Sequence, residues 1–295
     1  MSEAISEVRR PPSTLQTVAL TAVAMLAFAA NSLLCRLALQ QRGIDPASFG
    51  SIRLVSGALT LALVVQFRAR PAVPGRADWL AAAMLFAYVA FFSFAYLSLS
   101  AGTGALILFG AVQLTMLGAG LGSGERFGLV AWLGFVLAAG GLVYLVLPGV
   151  AAPPLLGAVL MAIAGVAWGV YSLRGRGVPD PLAATGRNFL RAVPLALALS
   201  LAFMMRAHAD ATGIALAVAS GALTSGLGYV VWYAALARLS AMQAATVQLS
   251  VPLLAAFGGV LLLSEAITPR LAAASVAILG GIAIVLSQKS RKARR

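Results

Sequence analysis

No charged side chain interrupts the 46 residues 79–124, WLAAAMLFAYVAFFSFAYLSLSAGTGALILFGAVQLTMLGAGLGSG. A transmembrane helix needs about 20 apolar residues, so this stretch is long enough for two. We predict that the chain breaks at residues 100–104, SAGTG, and forms the third and fourth membrane spans on either side. The stretch therefore decides an all-α integral membrane fold.

Composition extends this conclusion to the whole chain of 295 residues. Hydrophobic residues make up 61% of the sequence and charged residues 10%, whereas soluble domains carry about 25% charged residues. The net charge of +13 could suit nucleic acid, but the basic residues lie at the ends of apolar segments, where membrane topology explains them. The single cysteine, Cys35, excludes an intramolecular disulfide.

The same length rule predicts ten membrane spans joined by short loops. Prolines and glycines at 148–149 and 153–154 divide a second uncharged run, residues 127–173, into the fifth and sixth spans. The remaining spans are expected at residues 15–34, 49–67, 185–205, 212–236, 242–263 and 271–286. The first span follows a polar tail, residues 1–14, and lacks a small-residue cleavage site, so we expect it to be retained as a helix.

Lysine and arginine in short loops indicate how a membrane protein is oriented. If both termini are cytoplasmic, 16 basic residues lie inside and 5 outside, and the reverse orientation inverts this bias. We therefore predict a multi-pass protein of a bacterial-type inner membrane with both termini in the cytoplasm.

Landmark residues recur in one order, about 138 positions apart. Arg36 and Arg174 close the first and sixth spans, and Arg53 and Arg191 open the second and seventh, each pair 138 residues apart. The other pairs are Tyr96 with Tyr233, Glu125 with Glu265, and Gly140-Gly141 with Gly280-Gly281. Each unit holds five helices, so the second unit must be inverted relative to the first. The prediction is two inverted five-helix repeats, residues 15–148 and 149–287, before a basic tail, residues 288–295, as in alternating-access transporters.

The repeated arginines have two explanations. Arg53 and Arg191 lie near predicted helix ends, so their side chains can extend to lipid headgroups. Alternatively, they contribute to gating or substrate capture. Pro252, inside the ninth span, likewise marks either a hinge or only a kink.

Motifs in and after the fourth, sixth and ninth spans resemble a known family. These motifs are Gly124-Glu125-Arg126, Ser264-Glu265-Ala266, Trp168 in AWGVYSL and Pro252 in TVQLSVPLLAAFGGVLLLSE. With ten spans in two repeats, the whole chain resembles the EamA branch of the drug/metabolite transporter superfamily, and within it most of all the YddG-type exporters of aromatic and other amino acids. The resemblance implies a ten-helix bundle that transports small metabolites. One departure is Val112, which stands where the second half has Pro252.

Aromatic and uncharged polar side chains within the spans form the candidate substrate site. A neutral polar group in hydrocarbon needs a partner, so it faces a cavity or another helix. Helical spacing places Tyr88, Phe92 and Tyr96 on one stripe. The other candidates are Asn31, Gln113, Trp168, Tyr171, Tyr229, Trp232, Tyr233 and Gln248. Together they could stack on a planar ring and hydrogen-bond an amino or carboxyl group.

Each candidate also has a structural explanation. Aromatic side chains near helix ends form interfacial belts, which is our interpretation of Trp79 and Trp132. The glutamines can bridge helices, and the glycine pairs allow close helix packing.

The distribution of ionisable residues limits the chemistry. No acidic residue falls within a predicted span, and the only histidine, His208, lies in a loop. Proton-driven carriers usually use a buried carboxylate or histidine, so we expect facilitated movement down a gradient. An intramembrane enzyme would need a Ser/His pair, two aspartates within the spans or a metal-binding His cluster, and the predicted spans contain none of these, so an enzyme is not expected. A receptor or scaffold is a further alternative, but it would not need an inverted repeat.

The sequence thus predicts an exporter or facilitator of small amphiphilic metabolites, above all amino acids including aromatic ones. Its partners are a small-molecule substrate and the lipid bilayer. No cofactor, metal or nucleic acid is expected, and the oligomeric state stays open. Hydrophobic drugs are alternative substrates, since an aromatic pocket does not exclude them. Nucleotide-sugar-like metabolites are a further alternative, although phosphates favour several arginines in the cavity.

Overall fold

The computed structural model of the protein describes residues 14–68, 71–73, 75–124, 128–149, 151–239 and 241–293. Within these ranges the fold is all-helical, with one isolated β-bridge between Ile44 and Ala209. Its ten helices are α1 (Thr14–Gln40), α2 (Pro46–Phe67), α3 (Trp79–Ala95), α4 (Ala101–Gly122), α5 (Leu129–Val146), α6 (Leu155–Arg174), α7 (Pro181–Ala202), α8 (Ala211–Leu236), α9 (Ala241–Gln248 and Ser250–Leu263) and α10 (Pro269–Ala293).

Eight of the described helices are long and apolar enough to cross a membrane, namely α1, α2, α4, α5, α6, α8, α9 and α10. Helix α3 is apolar but has only 17 residues, about 25 Å at 1.5 Å per residue, which is shorter than a hydrocarbon core of about 30 Å. Helix α7 contains Arg187 and Arg191 and is less apolar. The structure therefore confirms a multi-pass membrane protein, and eight of the ten predicted spans meet the length and composition of a span.

Aspartates determine where several helices begin. All four aspartates of the sequence are N-caps: the side chains of Asp45, Asp78, Asp180 and Asp210 accept hydrogen bonds from the first backbone N–H groups of α2, α3, α7 and α8. Ser100 caps α4 in the same way. The chain therefore breaks between α3 and α4 as expected, but at residues 96–100, and residues 101–104 already belong to α4. Acidic side chains lie at helix ends because they satisfy free N–H groups there.

Two helices of the second half are irregular. Residues Ser220–Leu227 of α8 are π-helical, and α9 is interrupted at Leu249. Pro252 has no N–H with which to bond the carbonyl of Gln248 four residues earlier, so the first segment of α9 ends there. π-Helical turns are rare and frequently occur at functional sites.

Helices from the two halves pack around one core. Helices α3 and α4 pack on α6. Helices α8 and α9 pack on α1, and the pairs α2–α7, α4–α9 and α5–α10 are also in contact. The close approach of α5 and α10 depends on Gly134 and Gly281, because a Cβ at either position would lie within 2.6 Å of the other's carbonyl oxygen. One member of each predicted glycine pair packs tightly, Gly141 and Gly281, whereas Gly140 and Gly280 adjoin open space.

Successive helices alternate in direction, so the loops lie on two faces of the bundle. We call the face with the start of α1 and the end of α10 the terminal face, and the other the opposite face. At the opposite face the α1–α2 and α7–α8 loops pair: Asp45 N donates to His208 O at 2.9 Å, and Asp210 N donates to Gly43 O at 2.7 Å. Both described ends of the chain therefore lie on one face. Their assignment to the cytoplasm stays a prediction.

Candidate functional site

A cavity of about 20 Å³ lies between helices of both halves of the chain. Helices α1–α4 contribute to it from the first half, and α6, α8 and α9 from the second. The lining residues are Phe28, Asn31, Ser32, Arg53, Tyr88, Phe92, Leu108, Phe109, Trp168, Thr224, Ser225, Tyr229 and Gln248. A space of this size holds about one water molecule. A metabolite can therefore occupy this central cavity only after the surrounding side chains move.

Aromatic rings from three helices form one wall of the central cavity. Trp168 of α6 stacks on Tyr229 of α8, with ring centroids 5.6 Å apart and ring planes at 17°. Tyr88 of α3 lies 4.8 Å from Trp168 and 5.4 Å from Phe92, measured between centroids. Offset and tilted contacts of this kind are favourable for aromatic side chains, so the wall can also accept the ring of a ligand.

Asn31 of α1 is the centre of the neutral polar contacts. Its Oδ1 accepts hydrogen bonds from Ser220 Oγ at 2.7 Å and Thr224 Oγ1 at 3.2 Å. Its Nδ2 donates to Tyr88 Oη at 3.4 Å. Both serine and threonine belong to the π-helical stretch of α8, which brings their hydroxyl groups to α1. The asparagine is thus satisfied within the protein.

Arg53 of α2 places a positive charge in the wall of the central cavity. Its side chain is 1% exposed, Nη2 donates to Tyr88 Oη at 2.9 Å, and Nε donates to Ser225 Oγ at 3.1 Å. The guanidinium carbon lies 5.1 Å and 5.0 Å from the ring centroids of Tyr88 and Phe92. Nη1 has no hydrogen-bond partner, and none of the three ion pairs among the described residues includes Arg53.

The expectation that Arg53 extends to lipid headgroups is wrong. Helix α2 begins at Pro46, not at residue 49, so Arg53 lies about 10 Å into the helix, and its side chain is turned toward α3 and α8. Arg191, its partner in the sequence repeat, is not a mirror image. It is half-buried in α7, and its charge acts on Asp78 at the terminal face.

Six of the predicted substrate-site residues line the central cavity: Asn31, Tyr88, Phe92, Trp168, Tyr229 and Gln248. Pro252, the predicted hinge, is buried just beyond the interruption of α9. The other five predicted residues lie outside the cavity lining. Among them, Gln113 is buried within α4, and Trp232 contacts Phe28 edge-on with centroids 5.8 Å apart.

The remaining predicted tyrosines lie on either side of the cavity. Tyr96 is fully buried toward the opposite face, where its hydroxyl donates to Ala101 O at 3.3 Å. Tyr171 and Tyr233 lie toward the terminal face, and their hydroxyl groups are 3.3 Å and 2.7 Å from Thr185 Oγ1. Aromatic stripes on α3 and α8 therefore extend beyond the cavity at both ends.

Sequence reasoning missed several lining residues. These are Phe28, Ser32, Leu108, Phe109, Thr224 and Ser225. The polar run SGALTSG, residues 220–226, is a signal that could have identified the hydroxyl groups of α8. Phe28 and Phe109 carry no such signal, because phenylalanines in membrane spans usually face lipid or neighbouring helices.

An ion pair lies above the cavity, at the opposite face. Glu265, just after α9, accepts a hydrogen bond from Arg36 Nε at 3.0 Å and another from Ala101 N at 2.8 Å. Arg36 Nη1 also donates to Tyr96 O at 3.0 Å. This opposite-face ion pair ties together the ends of α1, α3, α4 and α9. Glu125 and Arg126, the matching positions after α4, lie outside the described residues.

Two ion pairs lie at the terminal face. Asp180 pairs with Arg68 in a two-bond contact, of which Nη1 to Oδ1 measures 3.0 Å. Asp78 pairs with Arg174, Nε to Oδ2, at 2.9 Å. The hydrogen bonds from Arg68 hold the pKa of Asp180 well below its usual value, and backbone N–H groups add to the effect. These contacts connect the α2–α3 loop to the α6–α7 loop.

A second, larger cavity of about 220 Å³ lies at the opposite face. Small polar, proline, alanine and leucine side chains from the ends of α3 and α5 and the starts of α4, α6 and α10 line it, with no ionisable group among them. The central cavity is the better candidate site because it alone combines a buried charge with stacked rings. Among the described residues, no three His, Cys, Asp or Glu side chains are grouped as metal ligands.

The chain is similar to a known transporter family, to a bacterial protein and to a solved structure. The sequence profile of the EamA-like transporter family matches residues 155–287. The "Uncharacterized protein PA1977" of Pseudomonas aeruginosa is 58% identical over 280 residues, which cover 95% of this chain and 98% of that protein. A crystal structure with 21% identity covers 90% of this chain and 98% of its own, with a TM-score of 0.61. That likeness shows a shared fold.

Proposed function

Because residues 155–287 match the EamA-like transporter family of the drug/metabolite transporter superfamily, we propose that the protein moves amino acids, including aromatic ones, across the bacterial inner membrane. The family and the apolar helices make it a multi-pass membrane transporter of small substrates and not an enzyme. The substrate class, the membrane and the direction of transport are parts of the proposal.

The central cavity carries this proposal. Its stacked pair Trp168 and Tyr229 offers aromatic surface, Arg53 offers a positive charge, and Gln248 offers a neutral polar group. Amphiphilic metabolites have the complementary parts, a ring or alkyl group and a short polar head. Ligand sites typically combine such apolar walls with a few convergent polar groups.

Transport by alternating access is supported by the way the helices pair. Each helix of the first half, α1–α5, corresponds to the helix five positions later, α6–α10. The contacts of α3 and α4 with α6 then correspond to those of α8 and α9 with α1, and both sets are present. The same correspondence leaves the pairs α2–α7, α4–α9 and α5–α10 unchanged. This pattern is expected of two inverted repeats whose substrate site lies at their interface, and the central cavity lies at that interface.

Ion pairs close the two sides of the proposed pathway. The pair Arg36–Glu265 lies between the central cavity and the opposite face, and the pairs Arg68–Asp180 and Arg174–Asp78 lie at the terminal face. With all three formed, the cavity has room for about one water molecule. We infer that this conformation is occluded and that breaking the pairs on one face admits substrate from that side.

Facilitated transport down a concentration gradient is the proposed mode. No Asp, Glu or His lines the central cavity among the described residues, and proton-coupled carriers usually place such a group on the pathway. The charge of Arg53 does not supply this function, because a guanidinium stays protonated at all physiological pH values. Export follows whenever the cytoplasmic concentration is the higher one.

Reconstitution in liposomes tests the proposal. We expect saturable uptake of radiolabelled phenylalanine, tryptophan or methionine, unchanged by an imposed pH gradient. Trp168→Ala removes the central ring of the aromatic wall and should lower the uptake rate at low substrate about tenfold, in the range of buried aromatic anchors. Trp132→Ala is the matched control, because Trp132 lies on α5 and is 44% exposed.

Three results would change the proposal. Uptake that requires a pH gradient would keep the substrate class and overturn the facilitated mode. Equal loss in both tryptophan variants would remove the central cavity from the pathway. No amino-acid uptake by folded protein would favour hydrophobic drugs or nucleotide-sugar-like cargo, of which the second is less suited to the one arginine among the described lining residues.

A further inference from the structure

Arg53 is a buried cation without a counter-ion. Its guanidinium carries five N–H donors, and the hydrogen bonds to Tyr88 and Ser225 use one on Nη2 and the one on Nε. Both N–H groups of Nη1 are without a partner. An uncompensated charge buried in a membrane protein is costly, and such residues usually belong to a substrate or ion pathway.

The groups around Arg53 cannot neutralise it. The ionisable side chains that interact with Arg53 are two phenols and a thiol, Tyr88, Tyr229 and Cys35, and no carboxylate lines the central cavity among the described residues. Asn31 Oδ1, a neutral acceptor in the same wall, already receives the hydroxyl hydrogen bond of Ser220 at 2.7 Å and lies 3.2 Å from the Thr224 hydroxyl, which it shares with Ser220 O. None of these described side chains supplies the partner of Nη1, so that N–H pair is open to a water molecule or to an anionic ligand that displaces it.

We propose that the central cavity is a carboxylate site that binds aromatic monocarboxylates through Nη1 of Arg53 and does not require an amino group on them. This inference rests on the proposed transport through the central cavity. It widens the cargo from amino acids to aromatic acids that lack the amine, and it makes the carboxylate the group that selects the substrate. Planar guanidinium groups are well suited to carboxylates, with which they form two parallel hydrogen bonds.

The cavity suits an ammonium group less well than a carboxylate, because among the described lining residues Gln248 offers it a neutral amide oxygen and no side chain offers a negative charge. A protonated amine needs acceptors or free aromatic faces. The rings of Tyr88 and Phe92 already lie against the Arg53 guanidinium, and Trp168 and Tyr229 stack on each other. An ammonium group beside Arg53 would also be repelled by it. A monocarboxylate makes the occupied cavity electrically neutral, whereas a zwitterion leaves a net charge of one.

Three ligands with one aromatic skeleton test the proposal by isothermal titration calorimetry on the purified full chain at pH 7.4. The ligands are 3-phenylpropionate, L-phenylalanine and 2-phenylethylamine, which carry a carboxylate, both groups and an amine respectively. We expect 3-phenylpropionate to bind at least as tightly as phenylalanine. We expect 2-phenylethylamine to bind at least about tenfold more weakly, because it lacks the charge-assisted hydrogen bonds. This ranking needs no variant.

Variants then assign the ranking to Arg53. Arg53→Gln should weaken 3-phenylpropionate binding at least about tenfold and remove its advantage over 2-phenylethylamine, while Arg53→Lys should keep the order of the ligands because it keeps the charge. Arg206→Gln is the matched control, since Arg206 is exposed at the opposite face, and it should leave all three affinities unchanged. Melting curves of each variant establish that it is folded.

The carboxylate site would be overturned by binding of 2-phenylethylamine as tight as that of 3-phenylpropionate, or by an unchanged ranking in folded Arg53→Gln. Binding of phenylalanine without binding of 3-phenylpropionate would also overturn it, and would leave amino-acid transport standing. Binding of 3-phenylpropionate by a protein that transports no amino acid would support the carboxylate site and refute the amino-acid cargo. Uptake of labelled 3-phenylpropionate into liposomes should follow its affinity.

Discussion

Replacing Glu265 by glutamine should open the opposite face of the bundle. The carboxylate accepts hydrogen bonds from Arg36 and from the backbone N–H of Ala101, so it holds α1 against the start of α4. Glutamine keeps the shape and can still accept one neutral hydrogen bond, but it loses the negative charge. The substitution therefore destabilises the conformation that is closed at the opposite face. It does not destabilise the open conformation, in which these helix ends are apart.

The size of the effect follows from the burial of the pair. The side chains of Arg36 and Glu265 are 17% and 11% exposed, between the exposed pairs worth up to about 1 kcal/mol and the fully buried pairs whose disruption costs about 3–5 kcal/mol. A loss of about 1.5–3 kcal/mol is therefore expected, as for hydrogen bonds to charged groups. Because 1.4 kcal/mol is a factor of ten, the open population should rise about 10- to 150-fold.

Cys35 reports this opening without any introduced label. It is the only cysteine, its side chain is fully buried, and it precedes Arg36 on α1. The rate of alkylation by N-ethylmaleimide at low reagent concentration measures the fraction of time for which the thiol is accessible. That rate, normalised to the rate in denaturant, should rise in Glu265→Gln by the same 10- to 150-fold.

The matched control is Asp180→Asn at the terminal face. Asp180 is 10% exposed and also pairs with an arginine, so its removal perturbs an ion pair of similar burial. In an alternating-access protein, weakening the terminal face favours opening on that side, and Cys35 should not become more reactive. An unchanged rate in Glu265→Gln, or an equal rise in both variants, would refute the assignment of Arg36–Glu265 as the closure of the opposite face.

Two further predictions concern stability in detergent. Asp180→Asn keeps a side chain that can cap α7, so it should lower the unfolding temperature at pH 7 only through loss of the charged contact with Arg68, worth about 1 kcal/mol. The folded-state pKa of Asp180 lies below its usual value of about 3.9. The stability that the ionised carboxylate contributes is therefore present above about pH 4 and is lost on further acidification. The difference in unfolding temperature between variant and wild type should shrink only below that pH. Gly281→Ala should cost about 1–3 kcal/mol, because the added Cβ would lie 2.5 Å from Gly134 O, whereas Gly280→Ala adjoins open space and should be neutral or slightly stabilising. Equal unfolding temperatures of the two glycine variants would contradict the packing of α5 on α10.

The helices were predictable because hydrophobicity and helix starts are local properties. The break at Ser100 follows from an N-cap side chain that the sequence displays. Helix α7 begins at Pro181, before the expected start at residue 185, because Asp180 caps it and proline suits the first helical position. The π-helical stretch of α8 was not predictable from hydrophobicity. It depends on contacts of Ser220 and Thr224 with Asn31, which lies 189 and 193 residues away.

The aromatic part of the site was predictable for a similar reason. Tyr88 and Phe92 share a helix face by spacing alone, and Trp168 was suggested by the family resemblance. Which end of each stripe reaches the cavity depends on helix crossings that spacing does not contain. Tyr96, one turn beyond Phe92, therefore packs against Ala101 instead of lining the cavity.

Arg53 and Arg191 show why a sequence repeat does not imply a functional repeat. They occupy matching positions 138 residues apart, yet Arg53 is buried in the cavity wall and Arg191 is half-buried near the terminal face. The difference lies in their neighbours: α2 meets the π-helical stretch of α8, whose Ser225 hydroxyl accepts from Arg53. Two halves with matching helix contacts can thus enclose a candidate site with a single charge. A substrate with one anionic end would then bind in one orientation, with its carboxylate toward α2 and its ring toward Trp168 and Tyr229.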